Sequence, residues 1–433
     1  MGKIGVYFCA VICCLFVTLQ PADSKTLYSL FDLGKIANEH SQTIRIAEDD
    51  VYIAQQEKAR ALSVLIPRLS TYGRMTRYKD ADMTLPDTLT TGVSLTQSFT
   101  LNGKELIALD VTRKGIESRE YQLESVRSQY LLQVAKTYYN ILSAQRFFEI
   151  AQSDVRRLET HRNAVREKLN VGNVTKTALY RAEAELSKAR TELVKAENGV
   201  HNAKAALHNL VNIDTDFDLQ REEIAAIENY TCTRAEIEEY ALVHRPEIKE
   251  ALKNLEIAEK TIRYEKSSYW PSIALEGGYR ETDMEYEIMG RDVKSDTEDL
   301  YVSGELVLTL FDGGLRRAQI RQAIADHRKA KNALELQKKE VILDSQTSFL
   351  SYTTAKNTLI NLADELKASQ ENFNAVQMQF QYGMADSIDM MDANTLLVSA
   401  ERRILDAKYT FYFSVLNILY TRGDLVSFLL SEG

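Results

Sequence analysis

Two long stretches of the chain place apolar residues seven apart. Between Gly103 and Gly172 one row runs Ile116, Leu123, Tyr130, Ala144, Ala151, Leu158 and Val165, with Val134, Ile141, Phe148, Val155 and Leu169 beside it. Between Gly314 and Gly383 the rows are Leu334, Val341, Ala355, Leu362 and Val376, with Tyr352, Leu359, Leu366, Phe373 and Phe380. A period of seven sustained this long predicts helices packed as coiled coils. Each run spans 69 residues, on the order of 100 Å at ~1.5 Å per residue. Past each glycine the seam resumes, as Leu179, Leu186, Leu193, Val200 and Leu207. A row of small residues accompanies it: Ala182, Ala189, Ala196 and Ala203 in the first case, Ala393, Ala400, Ala407 and Ser414 in the second. Small residues at heptad spacing let helices lie close along their whole length, which predicts a wall of helices rather than a globular core.

Elsewhere the period drops to two. Ile273, Leu275, Gly277 and Tyr279 point one way, and Ser272, Glu276 and Arg280 the other. Val93, Leu95 and Phe99 form a similar apolar face, as do Val302, Leu306, Leu308 and Leu310 against Ser303, Glu305 and Thr309. These are strands with one apolar and one polar face. A membrane barrel and a half-buried soluble hairpin share this period. Each first strand follows a helix (38–64 and 247–266) and opens on a proline, in Ile66-Pro67 and Trp270-Pro271. Proline has no N–H for a sheet ladder and is tolerated at a strand's first residue.

The two sets of elements are one unit repeated. The shift is 204 residues from His40/His244 to Pro67/Pro271, and 211 from Gly103/Gly314 to Gly172/Gly383. The difference assigns a longer polar loop to the second hairpin, the acidic ETDMEYEIMGRDVKSDTED against YKDADMTLPDTL. The expected division is residues 25–212 (β-hairpin 66–101, helical tip at 172), a linking segment 213–240, and 241–433 (β-hairpin 271–311, helical tip at 383). At Val171-Gly172-Asn173 and Tyr382-Gly383-Met384 a residue without a Cβ lets the chain reverse tightly between two antiparallel helices.

The N-terminus changes the picture of where this happens. A lysine, an apolar stretch over 4–19 and the small residues Ala22 and Ser24 predict a secretory signal over 1–24. The apolar stretch is shorter than the ~20 residues of a spanning helix. Cys9, Cys13 and Cys14 lie inside it, without a convincing lipidation box, so only Cys232 remains and no intrachain disulfide forms. The formal charge of −9 argues against a nucleic-acid partner. No later stretch has 18 consecutive apolar residues, so a membrane crossing would have to be a closed β-barrel.

In this order and spacing the residues resemble the TolC-like outer-membrane efflux proteins. The likeness rests on the duplication, on VGN at 171–173 and YGM at 382–384, on ALVHRPEI at 241–248, on the two helix-to-proline entries and on the small-residue helices after each tip. It covers essentially the whole mature chain. The resemblance implies a mixed fold: a trimeric 12-stranded transmembrane β-barrel continued by a long α-helical coiled-coil barrel, with four strands per protomer. It implies an exit duct for tripartite efflux or type I secretion, set in outer-membrane lipid as a homotrimer. The glycine tips would be the periplasmic entrance and would meet a periplasmic adaptor protein linked to an inner-membrane transporter. The family often carries acids six and nine residues after the second tip glycine. Here these are Asp389 and Asp392, with Asp386 one turn earlier. A gating acid found in the first copy is replaced by Ala178, and an arginine near the second tip by Ala385, which puts a salt-bridge lock of that kind in doubt.

No enzyme motif competes. The six histidines are scattered, only His201 and His208 share a helical face, and nucleophile elbow, phosphate loop and HExxH are absent. Neither cofactor nor metal is expected. The alternative is a periplasmic coiled-coil scaffold without a pore, which would explain the heptads but not the strands placed alike in both copies.

Overall fold

The computed structural model describes residues 26–77, 87–214, 216–221, 225–228, 230–288 and 291–431. The signal segment, its three cysteines and most of the first polar loop lie outside the described residues. The elements run β1 (Thr26–Tyr28), α1 (Leu30–His40), α2 (Gln42–Ser63), β2 (Arg68–Thr76), β3 (Asp87–Thr100), α3 (Lys104–Asn170) and α4 (Lys176–Val211). Then β4 (Phe217–Leu219) and α5 (Ala225–Glu228) link to α6 (Arg234–His244), α7 (Pro246–Ser267), β5 (Ser272–Ile288), β6 (Arg291–Val307), α8 (Leu315–Gln381), α9 (Ser387–Arg422) and α10 (Leu425–Ser431). Helix lengths of 11, 22, 67 and 36 residues recur in the same order in both copies.

The heptad seams form as read: every seam residue named above is buried or half-buried. The helix expected over 38–64 is broken. Ser41 is extended, and its hydroxyl accepts from the Ile44 amide at 3.3 Å, which caps α2 and ends α1. Neither proline nor glycine marks that break. In the second copy the corresponding break falls at Arg245, and Pro246 supplies the first residue of α7.

The long helices lie in one layer. α2 runs beside the strand-proximal part of α3, where Arg127 pairs with Glu48 at 3.3 Å. α4 takes the tip-proximal part, through Arg166–Glu183 at 3.1 Å and Arg190–Glu159 at 2.7 Å. On the other side of α3, α7 and then α9 fill the same two levels, and α8 packs beyond them. Lys253–Glu117 (2.9 Å) ties α7 to α3, and Arg245–Asp344 (2.7 Å) ties it to α8. Midway along this layer sits the core, built by Leu33, Leu131, Ile141, Leu416 and Ile418 under β1, β4 and the short helices. Cys232 packs at its edge, where burial pushes the thiol above its ordinary pKa and away from the reactive thiolate form.

Apart from the parallel pair β1-β4, the strands form one antiparallel sheet in the order β2-β3-β5-β6. Its register gathers Leu69, Leu89, Val93, Leu95, Phe99, Ile273, Leu275, Tyr279, Leu300, Val302 and Leu306 on one face. Leu300 and Val302 are each 87% exposed. The other face carries Ser70, Tyr72, Ser94, Glu276, Arg280, Asp299 and Tyr301. There Tyr301 donates to Glu276 at 2.7 Å, and Arg280 pairs with Asp299 at 2.9 Å.

Two strand expectations change. The acidic stretch read as a long loop is mostly sheet: β5 and β6 stay paired from Ser272–Val307 out to Ile288–Arg291. The extra residues of the second copy thus lengthen a ribbon, whose pairs include Lys294–Glu285 at 3.1 Å. At the other end β6 stops at Val307 rather than running through Leu310, because its partner strand begins at Ser272, just after Pro271, and beyond that point no strand is left to pair with.

Candidate functional site at the helical tips

Both reversals use the same backbone. Gly172 and Gly383 each have φ +79°. The Gly172 amide donates to Leu169 O at 3.0 Å and the Asn173 amide to Lys168 O at 2.8 Å. Gly383 and Met384 repeat this to Phe380 O (3.2 Å) and Gln379 O (2.8 Å). This is the Schellman arrangement, in which a left-handed residue satisfies the helix's last carbonyls. Val171, Tyr382 and Met384 are 70%, 79% and 73% exposed, so the tips present apolar side chains to solvent. Asn173 is exposed as well.

The outgoing helices are capped differently. Thr175 caps α4 weakly, accepting from the Ala178 amide at 3.4 Å. On α9, Asp386 accepts from the amides of Ile388 (2.7 Å) and Asp389 (3.0 Å), and the Asp389 carboxylate accepts from the Asp386 amide at 2.9 Å. The structure thus joins two of the three acids singled out from the sequence in a reciprocal capping box. Asp392 stands apart one turn later, and all three are exposed. Ala178 and Ala385, where a charged lock would sit, instead pack half-buried with Val165, Ala182 and Phe380.

A clasp that the sequence reading missed joins the two copies above the tips. Arg157 on α3 reaches Glu401 on α9 with both terminal nitrogens, at 3.2 and 3.1 Å, and its Nε donates to Asn394 Oδ1 at 3.0 Å. The amide of Asn394 donates in turn to Asp154 at 2.7 Å. Toward the tip, buried His161 shares a hydrogen bond of 2.9 Å between Nε2 and Ser387 Oγ. Lys168 lies over the Phe380 ring at 4.1 Å and donates to the Phe380 carbonyl. Burial, and then the charge of Lys168, hold His161 down to a pKa of about 4. The signal was available: Asp154, His161 and Lys168 are seven apart, as are Ser387, Asn394 and Glu401, a polar heptad seam beside the apolar one.

Among the described residues no group of His, Cys, Asp or Glu is arranged to hold a metal ion, and His201 and His208 are both exposed. No helix of the described residues is long and apolar enough to cross a membrane.

Comparison with known proteins agrees with this architecture. The chain is 22% identical over 437 residues to outer membrane protein TolC of Salmonella enteritidis, covering 95% of this chain and 84% of that protein. It is 21% identical over 436 residues to the proteases secretion protein PrtF of Dickeya chrysanthemi, covering 96% and 92%. Its fold matches the crystal structure of the Campylobacter jejuni CmeC outer membrane channel with a TM-score of 0.80 at 16% identity, over 92% of this chain and 86% of that one. The family model described as outer membrane efflux protein matches residues 33–212 and again 239–418, one match for each copy of the repeat. The chain belongs to the outer membrane efflux protein family, a family of transport proteins, and its place is the outer membrane, from which it extends into the periplasm.

Proposed function

We propose that three copies of this chain close into one duct: a 12-stranded barrel in the outer membrane continued by a tunnel of helices whose glycine tips form the periplasmic mouth. The duct passes cargo of an efflux or type I secretion system to the exterior. The observation that carries this is the sheet. Four strands leave β2 and β6 each with an unpaired edge, which lipid does not tolerate, and twelve strands fall within the range of closed membrane barrels. The apolar face runs from the row Phe99, Ile273 and Leu306 to the row Val93, Tyr279 and Leu300, and beyond it Glu281, Asp283, Asp296 and Glu298 take the same face and mark its outer rim. Trp270 and Phe311, both exposed at the helix–strand boundary, suit the aromatic girdle at the periplasmic interface. The Glu276, Arg280, Asp299 and Tyr301 face then lines water. A pore-free scaffold would leave the same apolar face open to solvent, where it invites aggregation.

The exposed Val171, Tyr382 and Met384 at the mouth are the contact for a periplasmic adaptor, which connects the duct to an inner-membrane transporter. Relatives named for toxin and drug export and for protease secretion support an export duct of this kind. Around the mouth, Asp389 and Asp392 of three copies gather six carboxylates, a field that favours cations. Reconstituted in a planar bilayer, the protein should form steady pores with a preference for cations. Replacing both Asp389 and Asp392 by alanine should lower that preference several-fold. Failure of the wild-type protein to conduct would sink the duct, and unchanged selectivity in the double variant would remove the ring from the mouth.

A further inference from the structure

The clasp between α3 and α9 contains one buried titratable group, His161, whose direct hydrogen-bond partner is a hydroxyl rather than a carboxylate. His161 lies 4% exposed, between the first residue of α9 and the Phe380 ring, whose centroid is 4.9 Å from its own. On its own helix the neighbouring charges are Arg157, already engaged by Glu401, Lys168, engaged at Phe380, and Arg156 and Glu167, which line the same cavity without a hydrogen bond to the ring. From α8 it meets Phe373, Gln377 and Phe380, all uncharged. At the tip below it, α4 contributes Arg181 to a second cavity that Lys168 and Phe380 also line. From α9 the acids are Asp386 and Asp389, whose carboxylates accept from the backbone of that helix's first turn. Ser387 is the first residue of α9, so the positive end of that helix dipole also faces the ring. A cavity of about 430 Å³ lined by His161, Arg156, Glu167, Gln377 and Gln381 opens beside it and gives protons a way in.

We propose that His161 makes the clasp a proton-operated catch: acidification charges the imidazole, drives Ser387 and the start of α9 away from α3, and frees the second tip from the first. The proposal rests on the reading of the tips as the mouth of a duct, which the catch would widen in acid. The sign follows from linkage. The neutral ring is favoured while the catch is closed, with a pKa of about 4, against about 6.5 for a solvated histidine. The catch is therefore at full strength above about pH 6.5. It weakens by about tenfold in its opening equilibrium for each pH unit down to about 4, where the effect levels off near 300-fold.

Spin labels at positions 171 and 382, placed in the full chain in detergent with Cys232→Ser, report the distance between the tips by pulsed electron resonance. Between pH 7.5 and 4 the ratio of separated to closed tips should rise steeply in otherwise unaltered protein. It should stay flat in His161→Gln, which keeps a hydrogen-bonding side chain but cannot titrate. A wild-type distance that ignores pH, or a His161→Gln response that follows the wild type, overturns the catch. Bilayer recordings of the same proteins separate the two ideas: loss of conductance at every pH would count against the duct, whereas a conducting pore with unaltered distances would count against the catch alone.

Discussion

A glycine at a helix end can serve close packing or backbone conformation, and the tips separate the two. A Cβ built on Gly172 or Gly383 meets nothing within 4 Å, so space does not select glycine there. The positive φ does. A β-branched residue in the left-handed region costs about 1–3 kcal/mol, whereas asparagine visits it readily. Gly172→Val with Gly383→Val should therefore abolish export and leave oligomer and membrane insertion intact, since the strain is confined to two exposed turns. Asparagine at both positions should retain export. Drug-susceptibility or secretion assays beside native gels read both quantities; full export by the valine variant would mean that these turns are not what the adaptor recognises. Asp389 carries the opposite lesson. Its position after the tip suggested a ring of charge, but its carboxylate also holds the first turn of α9, so its substitution tests a cap as well as a field.

The elements were legible to very different degrees. Heptads fixed the long helices because a coiled-coil seam is a property of each helix alone, and Leu158, Val165, Leu334 and Phe373 are buried where the period put them. The strands were legible for the same reason, since alternation needs no knowledge of the partner. What the sequence did not disclose depends on relations between elements. Arg157 and Glu401 are 244 residues apart, and their meeting is fixed by the rotation of α3 against α9, which no single period encodes. The stop of β6 at Val307 likewise depends on where its partner begins. The clasp makes its own prediction. With side chains 21% and 22% exposed, the Arg157–Glu401 pair is partly shielded from water. Arg157→Ala should cost about 1.5–3 kcal/mol by leaving charged acceptors unmatched, felt as faster amide exchange in the tip-proximal half of α9. A double-mutant cycle with Glu401→Ala should return a coupling of about 1 kcal/mol; additive single effects would show that the pair is only a surface contact.

At the scale of the whole molecule, the single layer of helices poses the same problem as the sheet below it. One protomer is an arc whose flanks have no partner within the chain. On α8, Leu336 and Leu343 are 58% and 59% exposed and stand seven apart. On α2, at the opposite flank, Ile46 and Ile53 are 65% and 55% exposed, again seven apart. The same period that closes each helical hairpin is thus left open at both ends of the arc, in line with the open edges of β2 and β6. In the trimer proposed above a neighbouring copy would cover both at once: its α2 flank would meet α8 while its β2 met β6, an operation that closes after three copies if the barrel has twelve strands. Glutamate at 336 and 343 together should therefore block assembly, because charges would be buried without partners across the seam. The helix content of the protomer should hardly change, since these side chains lie uncovered in it. Native mass measurement in detergent reads the outcome. Trimers persisting in the double variant, with circular dichroism unaltered, would mean that the α8 row faces solvent or lumen and that copies are held together by the strands alone.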